Sequence, residues 1–212
     1  MQRNISTFIQ QEHYILPIVH IDDAQQIVPT IHALIKGGIH TVEITLRNKE
    51  SIRAIKIARE QFPELCLIAG TVTSSEQLLE LKDHRINFVI TPGITPHLLH
   101  TSQKHSINIL PGVATPSDIL LGLEFHLTHF KFFPAEALGG TAILQSLNGP
   151  FEQITFCATG GISKHNAHDY LALNNVFSVA CSWIATAEDI HNKNWDAITQ
   201  KAIAAKRIIT GA

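Results

Sequence analysis

The chain has 212 residues, a formal net charge of -2 and a pI near 6.7. Its basic residues are scattered rather than gathered into a stripe, which argues against a nucleic-acid or anionic-membrane partner. No apolar run approaches the roughly 18 residues of a membrane span, and the opening Met1-Gln2-Arg3-Asn4-Ile5-Ser6-Thr7-Phe8 lacks an apolar signal core, so a soluble cytoplasmic protein is expected.

The segment Ser6 to His13 comes first and is expected to be a helix that covers the N-terminal end of the fold. Short apolar runs rich in β-branched residues then alternate with longer segments of helical period. The strand-like runs are Ile15 to Val19, Thr41 to Leu46, Leu65 to Ala69, Phe88 to Thr91, Ile107 to Leu110, His129 to Phe133, Ile154 to Cys157 and Val176 to Cys181. Helices are predicted between them, for example Asp23 to Lys36, closed by Gly37-Gly38, and Lys49 to Gln61, closed by Phe62-Pro63. Eight βα units in a chain of this length predict one α/β domain over residues 1–212, a closed (β/α)₈ TIM barrel with a parallel sheet. Cys66, Cys157 and Cys181 are odd in number, widely spaced and each set in an apolar run, so they read as reduced, buried thiols.

In such barrels chemistry sits at the C-terminal ends of strands and in the loops that follow. The unusual residues of this sequence fall there: Glu43 and Arg47 at the second strand, Gly70-Thr71, Thr91-Pro92-Gly93 and Pro111-Gly112 after the next three. Lys131 at the sixth, Thr159-Gly160-Gly161 after the seventh and Ser182 at the eighth complete the set. Along the second strand Val42, Ile44 and Leu46 share one face, which should meet the helices, while Thr41, Glu43, Thr45 and Arg47 share the other. Glu43 then points into the barrel, where a carboxylate is costly without a partner or a task. A water-bridged contact with Arg47, four residues on, is the structural alternative to acid-base work.

Lys131 lies in the apolar run Thr128-His129-Phe130-Lys131-Phe132-Phe133-Pro134. Burial disfavours an ammonium and so favours the free amine, the nucleophile from which a Schiff base forms; a stem packed on phenylalanines with its head in water is the structural alternative. Strand parity puts His129, Lys131 and Phe133 on one face, so that Lys131 can face Glu43. A buried ion pair between them seldom improves stability enough to justify desolvation, which favours reactivity. The glycines of Thr159-Gly160-Gly161-Ile162-Ser163 serve either a plain tight turn or an anion site at a helix N-terminus. Their place after the seventh strand, with Ser182 after the eighth, favours phosphate.

Taken together, Val42-Glu43-Ile44-Thr45-Leu46-Arg47, Ala69-Gly70-Thr71-Val72, Thr91-Pro92-Gly93, Pro111-Gly112, Phe130-Lys131-Phe132-Phe133-Pro134-Ala135-Glu136 and Thr159-Gly160-Gly161-Ile162 resemble the 2-keto-3-deoxy-6-phosphogluconate (KDPG) and 4-hydroxy-2-oxoglutarate (KHG) aldolase family, from about Ile15 to Trp183. The resemblance implies a class I aldolase on a (β/α)₈ barrel, usually a homotrimer, without metal or other cofactor, acting on a small 2-keto acid. It makes Lys131 the Schiff-base lysine and Glu43 the proton shuttle, with Arg47 and Thr71 on the pyruvyl carboxylate. Gly160, Gly161 and Ser182 would hold the distal phosphate, and Pro92 and Thr159 would also bind substrate. Four positions depart from the family pattern: Ala180 and Cys181 in Ala180-Cys181-Ser182-Trp183 where many members read Gly-Gly-Ser-Trp, Ala158 in place of a common proline, and Leu138 where a small or polar residue is usual.

Other features read as structural. His126 with His129 and His165 with His168 have no evident third ligand, so no metal site is predicted. Trp183 and Trp195 read as packing residues, and Glu136 as a charge at a helix N-terminus. Two rival functions keep the barrel: an isomerase or epimerase in which Glu43 is the base and Lys131 an electrostatic aid, and a non-catalytic sugar-phosphate binder.

Overall fold

The structure, a computed structural model, describes residues 15–210; the helix predicted over Ser6 to His13 lies outside them. The strands are β1 (Ile15–Val19), β2 (Thr41–Thr45), β3 (Cys66–Gly70), β4 (Phe88–Ile90), β5 (Asn108–Leu110), β6 (Gly112–Val113), β7 (His129–Phe132), β8 (Thr155–Thr159) and β9 (Val176–Cys181). They form one parallel sheet in the order β5-β4-β3-β2-β1-β9-β8-β7-β6. Only Pro111 separates its two end strands, so the fifth strand, predicted to stop at Leu110, resumes beyond the proline as Gly112–Val113, and the sheet closes there into a barrel. Leu110 accepts a hydrogen bond from Thr91 N on one side at 3.3 Å, and Pro111 accepts from Lys131 N on the other at 2.9 Å. Proline, without an N–H, is tolerated at such an interruption.

The helices are α1 (Ile27–Lys36), α2 (Lys49–Gln61), α3 (Ser75–Asp83), α4 (Pro96–Lys104), α5 (Pro116–Glu124), α6 (Gly140–Asn148), α7 (Ala167–Leu171), α8 (Ala187–His191) and α9 (Trp195–Thr210). Several start on side-chain caps of the kind that satisfy orphan backbone donors: Asn48 on Ser51 N, Ser74 on Gln77 N and Thr115 on Asp118 N. The predicted first helix divides into a 3₁₀ turn, Ala24–Gln26, and α1, with Pro29 in the first turn of α1 where an N–H is not needed. The last helix closes the outer ring against the first. Gly37 is the point of contact, since a Cβ there would lie 2.4 Å from Ala202 Cβ, and Thr199 Oγ1 donates to Ala33 O at 3.1 Å.

Strand alternation divides the core into two layers, as the period of two requires. Val42, Ile44, Phe130 and Phe132 lie between sheet and helices, while Leu16, Ile68, Ile90, Leu110, Cys157 and Ala180 fill the barrel. Trp183 and Trp195 pack against the outer layer as expected. Cys157 and Cys181 are buried and Cys66 is half-buried; none of the three forms a disulfide among the described residues. No helix among the described residues is long and apolar enough to cross a membrane.

Candidate active site

Glu43, in mid-β2, and Lys131, in mid-β7, project into the upper barrel from opposite arcs of the sheet. Lys131 Nζ stands 3.7 Å from Glu43 Oε1, an ionic contact longer than a hydrogen bond, and the two side chains are 7% and 0% exposed. Neither Glu43 oxygen has a hydrogen-bond partner among the described residues. Burial raises the Glu43 carboxyl above its ordinary value, against the opposing pull of Lys131 and, more weakly, Arg47. A carboxyl so placed holds a proton more readily than an exposed one and can hand it on.

Local backbone makes room for this pair. A Cβ on Gly70, the neighbour of Thr45 in β3, would fall 2.0 Å from Glu43 Oε1, so only glycine leaves that volume to the carboxylate. Thr71 follows with φ 60°, a left-handed conformation rarely adopted by a β-branched residue. Such strain, about 1 to 3 kcal/mol, concentrates where a site needs a side chain held in one direction. Lys131 also lies 5.2 Å from the Phe133 ring centroid. Beneath the amine, on the paired position of β8, the Cys157 thiol is pushed up to about 11, chiefly by burial and against the attraction of Lys131. It is a neutral wall at pH 7 and not a second nucleophile.

The strand ends enclose a cavity of about 410 Å³. Every residue assigned to the site from the sequence lines it: Glu43, Arg47, Thr71, Pro92, Lys131, Thr159, Gly160, Gly161 and Ser182. The cavity also takes in Ile18, His20, Thr45, Phe133, Ile162 and the loop Ala185, Thr186, Ala187, none of which was assigned to the site from the sequence. A signal existed for His20, which shares strand parity with Leu16 and Ile18 of β1. For Thr186, the cap of α8, none did.

The Gly160-Gly161 turn is held from below by two backbone N–H groups and one side-chain amide. Ala135 N donates to Thr159 O at 2.7 Å and Glu136 N to Gly160 O at 3.1 Å, while Asn166 Nδ2 donates to Gly161 O at 3.1 Å. Both glycines have positive φ, 98° and 79°, and a Cβ on Gly161 would come within 2.5 Å of Glu136 Cβ. Glu136 opens a single 3₁₀ turn, Glu136–Leu138, and its carboxylate accepts a hydrogen bond from the Tyr170 hydroxyl. That contact, after burial, raises the Tyr170 phenol.

The histidine pairs do not converge. His129 packs on Phe177 at 5.6 Å, with burial lowering its pKa, and His165 and His168 are exposed. Among the described residues no group of three or more His, Cys, Asp or Glu side chains is placed to hold a metal.

Residues 7–201 match the protein family described as KDPG and KHG aldolase. The chain is 40% identical over 198 residues to the 2-dehydro-3-deoxy-phosphogluconate aldolase of Pseudoalteromonas atlantica, covering 93% of this chain and 91% of that one. It is 39% identical to the KHG/KDPG aldolase of Escherichia coli K12, with 89% and 88% covered. Among solved structures, the Legionella pneumophila KDPG aldolase with pyruvate captured at low pH as a covalent carbinolamine intermediate superposes with a TM-score of 0.90 at 39% identity, over 92% of this chain and 95% of that one. The Zymomonas mobilis enzyme with 3-phosphoglycerate gives a TM-score of 0.88 at 34% identity, over 97% and 96%.

Proposed function

The chain belongs to the KDPG and KHG aldolase family, and we propose from that membership and from the cavity that it cleaves KDPG to pyruvate and glyceraldehyde 3-phosphate, and KHG to pyruvate and glyoxylate, through an imine on Lys131. The observation that carries the reading is the buried Lys131–Glu43 pair, a nucleophile and a proton carrier 3.7 Å apart. The carbinolamine captured in the Legionella pneumophila relative is the intermediate that such an amine forms with pyruvate.

Lys131 Nζ attacks the C2 ketone to give a carbinolamine, and loss of water leaves a protonated imine. Glu43 takes the proton of the C4 hydroxyl; the C3–C4 bond breaks, its electron pair passes into the enamine, and C4 leaves as the aldehyde. Glu43 then returns the proton to C3, and hydrolysis frees pyruvate and the Lys131 amine. Its raised carboxyl suits both halves of this exchange. Arg47 binds the substrate carboxylate because its planar fork can engage both oxygens and stays charged, with Thr71 beside it. The backbone N–H groups of the Gly160-Gly161 turn, with Ser182, receive the distal phosphate, and Pro92 and Thr159 complete the wall.

We take the protein to be one barrel domain over residues 1–212 that works in the cytoplasm as a homotrimer. Sedimentation should then give about 70 kDa, three times the chain mass of 23.4 kDa. The test of function is borohydride reduction in the presence of pyruvate, read by peptide mass spectrometry. A reduced adduct on Lys131 that Lys131→Ala abolishes is expected. An unmodified protein overturns the reading and leaves an isomerase-type mechanism, which needs no imine.

A further inference from the structure

His20, like Thr45 and Thr186, is a polar residue of the cavity wall that the mechanism does not use, and it is the one with a ring nitrogen left unpaired. It follows β1 and stands between the elements that carry the two ends of the substrate: β1 pairs with β2 through Ile18 and Glu43, and with β9 through Pro17 and Cys181. Its imidazole is committed on one side only. Nε2 lies 3.2 Å from Asp22 Oδ1, and that oxygen also accepts from Asn48 Nδ2 at 3.2 Å, directly after Arg47 in the chain. Asn48 Nδ2 donates to Ile21 O as well, at 2.9 Å, so the dyad is tied into the loop after β2. In the neutral ring the contact with Asp22 places the proton on Nε2 and leaves Nδ1 an acceptor. Nδ1 is buried and has no hydrogen-bond partner among the described residues.

A buried acceptor without a donor is unfavourable, and here the ring forms part of the wall of a cavity that receives a polyhydroxylated substrate. We propose that His20 is a specificity-determining residue whose Nδ1 accepts a hydrogen bond from the substrate hydroxyl on C5, the carbon between the reacting C4 and the phosphate-bearing C6. The assignment rests on the aldolase reading above. Glu43 serves the C4 hydroxyl and the glycine turn serves the phosphate, so C5 is the polar carbon left without a protein group. It also separates the two substrates: KDPG has a hydroxyl on C5, whereas C5 of KHG is a carboxylate carbon with no proton to donate. His20 therefore favours the phosphorylated sugar acid, at a site where Ala180-Cys181 adds side chains beside the phosphate end.

The test compares kcat/KM for KDPG and for KHG in wild type, H20V, H20N and H20Q. Asparagine presents a polar atom close to the position of Nδ1, and glutamine one close to Nε2. The KDPG:KHG ratio is expected to fall about tenfold in H20V and H20Q, the scale of one neutral hydrogen bond, and to stay within about twofold of wild type in H20N. Rescue by H20Q and not by H20N would show that the Asp22 contact alone matters and would overturn the proposal, as would an unchanged ratio in H20V. A wild-type protein that cleaves neither substrate defeats the aldolase reading itself, an outcome distinct from a normal enzyme whose ratio ignores His20.

Discussion

Glu43 and Lys131 lie within strands at 0% and 6% exposure, whereas Gly161 and Ser182, at the far end of the same cavity, are exposed residues of the loops that follow β8 and β9. At the strand end of the cavity, the proposed chemistry would depend on burial: desolvation raises Glu43, and the lysine held against it has no other ionic partner among the described residues. At the loop end, the recognition proposed for the Gly160-Gly161 turn would depend on backbone shape, because that turn offers N–H groups and has no side chain of its own. Changes at the strand end should therefore act on the rate of bond making and breaking, and changes at the loop end on the affinity for one substrate over another.

The sharpest way to break this division is Lys131→Ala. We expect kcat for KDPG to fall by at least about 10⁴-fold, as when other covalent nucleophiles are removed, and comparable residual activity would place the chemistry elsewhere. Next comes Glu43→Gln, which keeps shape and removes the exchangeable proton. A loss of about 10² to 10⁴-fold in kcat is expected, with pyruvate still trapped on Lys131 by borohydride. Gly161→Ala tests the loop end. The added Cβ would collide with Glu136 in a left-handed backbone, so KM for KDPG should rise about tenfold or more, with KHG less affected. Equal losses on both substrates would erase the distinction between the two ends.

The smallest effect is on stability. Glu43 titrates higher in the folded protein than in the unfolded chain, so its contribution is fully present below the unfolded value and is lost as pH rises through the folded one. Glu43→Gln does not ionise. Its melting temperature relative to wild type should therefore climb as pH rises from the ordinary carboxylate range through the raised Glu43 value, measured by thermal denaturation at each pH. A difference that shrinks over that range would mean that Lys131 outweighs desolvation at Glu43.

The strand-borne part of the site is legible in the order of residues because alternation is a local property. Thr41-Val42-Glu43-Ile44-Thr45 shows which side chains face the barrel, and the same parity on His129-Phe130-Lys131-Phe132 puts the amine on the inner face. His20 carries that signal too, two residues beyond Ile18, but a single histidine at a strand end is not distinctive without a view of what its nitrogens touch. The break at Pro111 is harder to read. A proline after an apolar run ends a strand as readily as it interrupts one, and the choice depends on whether β7 is there to take up the Pro111 carbonyl.

Residue order was enough to establish the repeating βα units, the inward carboxylate and amine, and the glycine turn, since each is written in a period of two or in a short run of neighbours. Tertiary structure alone decided the separations: the 3.7 Å between Lys131 and Glu43, the volume beside Gly70 that admits the carboxylate, and the entry of Thr186 into the cavity wall. Those depend on how far the closed sheet curves and on which loops fold over its rim. They arise between residues distant in the chain, 88 positions apart for Glu43 and Lys131, and no local pattern encodes them.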